Sequence, residues 1–234
     1  MSGIAVITGG TKGIGRALVE IFSEKGFDIA VCSRKLDDLN LLRDEIQKKY
    51  GNKVFIMRTD VAEKDEVEYF IKFVHAQEGE VKVLVNNAGV FIPGQVHTEE
   101  DGVLEQTIET NLYRAYYMTK GFVEGMIKNK SGHIFNMCST ASFTAYTNGG
   151  SYCISKFALL GMSKVLREEL KIHNVRVTSV MPGATFTASW EGVDLPQERF
   201  MKPEDVASAI WNAYHMSDRT VVEEIVMRPQ MGDV

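Results

Sequence analysis

The stretch from residue 3 to residue 26 constrains the fold more than any other. A short apolar run, Gly3-Ile4-Ala5-Val6-Ile7-Thr8, leads into Gly9-Gly10-Thr11-Lys12-Gly13-Ile14-Gly15. Ala17, Leu18, Ile21 and Phe22 then recur at helical spacing up to Lys25-Gly26. The run reads as a strand buried on both faces, and Gly26 as the end of a helix. Strand, glycine turn and helix in this order are what a phosphate-binding loop requires. Gly9 permits a tight turn, while Gly13 and Gly15 let backbone approach a pyrophosphate and let the helix pack against the strand. The helix N-terminus offers free N–H groups and a partial positive charge to the anion. Thr11, Lys12 and Ile14 lie in the same turn and join the candidate contacts.

The pattern then repeats. Strands are predicted at 27–32, 53–57, 81–85, 133–137, 175–180 and 221–227. Helices are predicted at Leu36–Tyr50, 63–77, 151–173 and Pro203–Tyr214, with one or two more within 99–130. Strands alternating with helices imply an α/β protein of the Rossmann type. The expected architecture is doubly wound, with a mostly parallel seven-stranded sheet and helices on both faces. The 234 residues show no repeat, low-complexity tract or linker, so residues 1–234 are expected to form a single domain.

Several function classes are disfavoured. The formal net charge is -5 and the Lys and Arg residues form no block, so neither nucleic acid nor a membrane surface is an expected partner. No apolar run is long enough to span a bilayer, and residues 1–10 carry no basic leader or cleavage site. Cys32, Cys138 and Cys153 are too few and too scattered for a disulfide framework, and free thiols fit a reducing cytoplasm. No Cys/His cluster has metal-ligand spacing, so no metal is expected.

In sheets of this kind ligands bind at the carboxyl ends of the strands. The candidate motifs all fall there: the glycine turn, then Asp60, then Asn86-Asn87-Ala88-Gly89, Ser139 and Pro182-Gly183. Tyr152 and Lys156 sit one helical turn apart, so both side chains project from one helix face. A tyrosine hydroxyl titrates near pH 10, and a nearby ammonium favours the phenolate. The pair therefore reads as a tuned general acid/base. Alone, a Tyr and a Lys at this spacing are more often a half-exposed helix face. It is the constellation along one rim that favours chemistry.

These residues resemble the short-chain dehydrogenase/reductase family, in its compact single-domain branch. The resemblance runs over nearly the whole chain. Thr8-Gly9-xxx-Gly13-x-Gly15 matches the family's cofactor turn, and Asn86-Asn87-Ala88-Gly89 its second signature. Asn111, Ser139, Tyr152 and Lys156 match its catalytic tetrad. Pro182-Gly183, with Thr185 and Thr187 beyond, matches its nicotinamide-side motif. The resemblance implies that Tyr152 gives a proton to a carbonyl oxygen as hydride arrives. It implies that Lys156 lowers the tyrosine's pKa and binds ribose, that Ser139 bonds the carbonyl oxygen, and that Asn111 holds a relay water. Asp60, followed by Val61, resembles the family's adenine contact. Asn87, Ala88 and Gly89 would join the cofactor contacts. Cys138 departs from relatives that carry a second serine there. A homodimer or homotetramer is implied.

A nicotinamide cofactor without a 2′-phosphate is usually met by an acid at the end of the second strand. Here Ser33-Arg34 occupies that place, and Lys12 flanks it. An arginine fork suits a phosphate dianion, which predicts NADP(H). The partner would be a small-molecule carbonyl substrate. Its pocket is expected from Phe91, Thr140, Phe143, Tyr146, Phe186 and Trp190, under a lid at about 184–202. Segments of the last third, among them Tyr152-Cys153-Ile154-Ser155-Lys156-Phe157 and Ser217-Asp218-Arg219-Thr220, are similar to bacterial sepiapterin reductases, which reduce pterin side-chain ketones. The alternatives are a 3-oxoacyl-[acyl-carrier-protein] reductase and a non-catalytic NADP(H)-binding regulator.

Overall fold

The computed structural model describes residues 3–187, 190, 192 and 194–233. The elements in chain order are β1 (Ile4–Thr8), α1 (Gly13–Glu24), β2 (Asp28–Ser33), α2 (Leu36–Tyr50), β3 (Val54–Arg58), α3 (Lys64–His75) and β4 (Val81–Asn86). There follow α4 (Val103–Ile108), α5 (Arg114–Lys128), β5 (Gly132–Met137), α6 (Gly150–Leu170), β6 (Val175–Pro182), α7 (Pro203–Tyr214) and β7 (Glu224–Met227). The seven strands form one sheet in the order β3-β2-β1-β4-β5-β6-β7. Every pairing is parallel. The chain winds outward from β1 to β3, then crosses back to place β4 on the other side of β1. The carboxyl ends of β1 and β4 therefore flank the switch point where such sheets bind ligands.

The apolar β1 run is explained by burial on both faces. Ala5 and Ile7 join the core beneath α1, α2 and α7, with Phe22, Leu42 and Ile210. Ile4 and Val6, pointing the other way, join the core beneath α3 and α5, with Phe70, Met118 and Phe122. Both layers are apolar, so the strand shows no alternation. Among the described residues no helix is long and apolar enough to cross a membrane.

Several boundaries depart from expectation. The helix expected from Glu99 starts at Val103, because Gly102 stands in the left-handed region (φ 93°) and the Glu99 carboxylate bonds Ser151 instead. Between α4 and α5 the chain makes one π-helical turn, Glu109–Tyr113. The long helix expected over 151–173 is α-helical to Leu170 and ends in a 3₁₀ turn, Lys171–His173. β6 runs on through Pro182, whereas β7 is shorter than expected: the Val222 carbonyl accepts from the Thr178 hydroxyl, and ladder pairing begins at Glu224.

Candidate active site

The glycine turn is a cradle of backbone. A Cβ on Gly15 would lie 2.2 Å from the Gly9 carbonyl oxygen and 2.6 Å from Asn87 Nδ2, so only glycine fits there. A Cβ on Gly13 would lie 2.9 Å from Thr187 Cγ2, which puts Thr187 directly over the turn. α1 opens at Lys12 with no side-chain cap and no acidic residue in its first turn. Its first N–H groups are thus free to meet an anion, as a phosphate cradle demands. Thr11 and Ile14 are half-buried in the same turn, and Ile14 packs on the core.

Arg34 and Lys35 stand exposed just past β2, and the Ser33 hydroxyl donates to the Lys35 carbonyl at 3.4 Å. Lys12 Nζ lies 3.9 Å from Asp38. Arg34 and Lys35 present cations directly after β2, where a carboxylate would otherwise meet the ribose, a donor set that fits a 2′-phosphate. The Asp60 carboxylate accepts from the Ala62 N–H at 3.0 Å, and Val61 packs on the α3/α5 core. Asn87 and Ala88 are structural as well as rim residues. Thr8 Oγ1 accepts from both of their N–H groups, and Asn87 Nδ2 donates to the Thr8 and Gly9 carbonyls, locking β4 to β1. On the far side of the rim, the Gly183 N–H donates to Met227 at 2.8 Å and the Thr185 hydroxyl to Gly183 at 3.1 Å, with Pro182 and Thr185 buried.

Beside the cradle the tetrad residues converge. α6 carries Tyr152 and Lys156 on one face, with Lys156 Nζ 5.7 Å from the Tyr152 ring centre. Lys156 is 5% exposed and donates to the Met137 carbonyl at 2.7 Å. Burial pulls its pKa down to about 8. Burial also raises the Tyr152 pKa, while a hydrogen bond with the Ser139 side chain works the other way. In the cofactor-free protein the phenol is therefore held protonated, the form a proton donor needs. The expected lowering by Lys156 is not part of this balance. The edge of Phe91 packs on Tyr152 with ring centres 4.9 Å apart.

Ser139, expected as a site residue, is a cap in the structure. Its hydroxyl accepts from the Ala141 N–H at 3.1 Å, opening a 3₁₀ turn that begins at Thr140. Asn111 sits in the π-helical turn and is fully buried. Its amide donates to the Val90 carbonyl and the Ser155 hydroxyl, both at 3.0 Å, and accepts from the Val90 N–H at 2.9 Å. The side chain thus ties the loop after β4 to α6. From the place a Gly89 Cβ would take, Asn111 Oδ1 is 3.1 Å and Lys156 Nζ 3.7 Å away, so this loop opens onto the lysine. Cys138 is buried, and burial raises its thiol pKa.

The expected substrate residues divide into separate groups. Phe91 faces Tyr152. Tyr146 lines a cavity of about 600 Å³ with Val96, Cys153 and Phe157, and burial raises its pKa. Phe143 lies beneath the Arg228 guanidinium at 5.7 Å. Phe186 and Trp190 both pack on Phe200, at 5.8 and 4.9 Å between ring centres. Phe186 also lines a second cleft with Gly13 and Thr187. Of the expected lid, residues 188, 189, 191 and 193 lie outside the described residues. Sequence reading missed Glu99, which accepts from the Ser151 N–H at 2.9 Å and from its hydroxyl and so caps α6, the helix that carries Tyr152 and Lys156. It also missed the Met137 carbonyl that holds Lys156, because both contacts span the fold.

The short chain dehydrogenase family model matches residues 3–197. A sepiapterin reductase from Chlorobaculum tepidum is 35% identical, with 100% of this chain and 99% of the relative covered. Among solved structures, an alcohol dehydrogenase from the archaeon Thermococcus sibiricus, complexed with 5-hydroxy-NADP, superposes with a TM-score of 0.92. It is 26% identical, over 100% of this chain and 99% of that one. L-sorbose reductase from Gluconobacter frateurii, complexed with NADPH and L-sorbose, gives a TM-score of 0.90 at 26% identity, over 98% and 96% of the two chains.

Proposed function

The chain belongs to the short-chain dehydrogenase family, and we propose that it is an NADP(H)-dependent carbonyl reductase that acts on a pterin-like side-chain ketone. One observation carries the reaction class: Tyr152, one helical turn from the buried Lys156 and with its ring centre 5.7 Å from Lys156 Nζ, lies on the rim that also carries Ser139 and the glycine cradle. NADP(H), when bound, supplies or takes the hydride. Gly9, Gly13 and Gly15 would hold its pyrophosphate, and Arg34 with Lys12 its 2′-phosphate. Asp60 and the Asn87-Ala88-Gly89 rim would hold its adenosine half, and Thr185 and Thr187 its nicotinamide half. Tyr152 gives its hydroxyl proton to the substrate oxygen, and Ser139 donates a second hydrogen bond to that oxygen. Donors already in place stabilise the developing alkoxide without reorganisation. Lys156, charged at neutral pH, then favours the phenolate left behind.

The pterin assignment is supported by full-length similarity to a sepiapterin reductase and by the rings of Phe91 and Tyr146 beside the catalytic helix. Exposed Tyr113, Tyr116, Ile154, Phe157 and Val165 along α5, α6 and the turn before them favour a homodimer or homotetramer. Three free, buried cysteines suit the cytoplasm. The test is NADPH consumption with sepiapterin and with an acetoacetyl thioester, side by side. Turnover of sepiapterin alone supports the pterin reading. Turnover of the thioester alone replaces it with reduction of the fatty-acid type, and turnover of no carbonyl compound sinks the enzyme reading.

A further inference from the structure

Arg114 opens α5, one turn after Asn111, and is 2% exposed. Its Nε and Nη1 atoms have no hydrogen-bond partner among the described residues. Among the described residues no carboxylate pairs with it, and burial pulls its pKa down to about 10. A buried cation without a counter-charge is costly, and proteins rarely keep one.

Its position says what it faces. Asn111, three residues earlier, bonds Val90 in the loop after β4, and the carbonyl of the next residue, Ala115, accepts from Asn86 at the end of β4. Arg114 is close enough to Lys156 for the two cations to repel, and lies on the side of the sheet where Cys32 stands near the end of β2. The Cys32 carbonyl in turn accepts from the Gly9 N–H at 3.0 Å. Arg114 therefore stands beneath the end of β4, next to the place where Asn111 and Lys156 meet the Gly89 loop. The rim adds further cations, Lys12 and Arg34.

We propose that Arg114 is the buried counter-charge for the phosphate groups of the bound dinucleotide. It acts through space from beneath the cleft, and the bound anion offsets a cost that the free protein bears. This rests on the reading of the chain as an NADP(H)-binding reductase. A ligand that relieves such a cost stabilises the folded state by linkage.

The test is thermal denaturation and fluorescence titration of the full chain, without substrate, for wild type, Arg114→Met and Arg114→Lys, each with NADPH and with NADH. Arg114→Met should raise the Tm of the free protein, since an apolar side chain of similar length needs no counter-charge. It should weaken NADPH about tenfold and shrink the Tm gain on binding. Arg114→Lys, which keeps the charge, should hold NADPH affinity within about threefold. Equal weakening of NADPH and NADH in Arg114→Met assigns the pyrophosphate, and weakening of NADPH alone the 2′-phosphate. The proposal is overturned if Arg114→Met leaves the Kd unchanged or lowers the free protein's Tm, or if Arg114→Lys loses as much affinity as Arg114→Met. A wild type that neither dinucleotide stabilises sinks the cofactor reading itself, a result distinct from any of these.

Discussion

The cofactor cradle and the catalytic cluster share a rim but are built differently. The cradle is local: residues 9–15 form it, its donors are backbone N–H groups, and its main requirement is the absence of side chains. The cluster is assembled from afar. Lys156 is held by a carbonyl 19 residues away, Asn111 bonds Ser155 across 44 residues, and Ser151 bonds Glu99 across 52. The cradle adds no buried charge, whereas the cluster keeps Lys156 and Arg114 out of water at a cost in stability. Binding geometry is thus cheap here, and chemistry is stored as electrostatic strain that the surrounding fold must overrule.

The sharpest break between the two regions is Tyr152→Phe. Reduction should fall by roughly a thousandfold, because the ring stays and the transferable proton goes. NADPH affinity should stay near wild type, measured by fluorescence titration. A variant that still reduces the carbonyl at near wild-type rate would remove Tyr152 from its role.

The cradle breaks in the opposite way. In Gly15→Ala the new Cβ meets the Gly9 carbonyl, a backbone atom that has no room to move. We expect a loss of about 1–3 kcal/mol in stability from overpacking, together with loss of NADPH binding. Denaturant unfolding and titration check both, and unchanged affinity would show that the turn does not receive the cofactor.

Lys156 sharpens the comparison through pH. Its pKa is about 8 in the folded chain against an ordinary 10.5. Between these values the unfolded chain binds more protons, so this group makes stability rise with pH across that window. Its cost is present in full below pH 8 and gone above about 10.5. Lys156→Met lacks the term. The stability gap between wild type and variant, measured without cofactor by denaturant midpoints, should therefore change by about 3 kcal/mol between pH 8 and 10.5, in favour of wild type at the alkaline end. A pH-independent gap would mean that the lysine titrates normally.

The smallest effect is expected at the exposed end of β2. Arg34→Asp should shift preference from NADPH toward NADH by roughly tenfold to a hundredfold, the worth of one charge-assisted hydrogen bond. Steady-state kinetics with both dinucleotides measure it. An unchanged ratio would move phosphate recognition to Lys12.

Leu36–Tyr50 and Pro203–Tyr214 were readable to the residue, because each helix carries its own periodicity and stop signals, and Pro203 starts a helix wherever the fold puts it. Period and punctuation are local, so the strand–helix alternation and the parallel sheet followed from them. So did the family, since its motifs are short words at fixed intervals. What tertiary structure alone decided lies in contacts between such words. Glu99 reads as a helix start and instead caps α6. Val222 reads as strand, but its carbonyl accepts from the Thr178 hydroxyl. Phe186 and Trp190 read as substrate wall, and the fold supplies Phe200 as the ring they share. Arg114, which no sequence signal singles out, is buried with Nε and Nη1 unpartnered among the described residues. A side chain's environment is the sum of atoms brought to it by the fold, and burial, charge and pairing belong to that sum, not to the residue's neighbours in the chain.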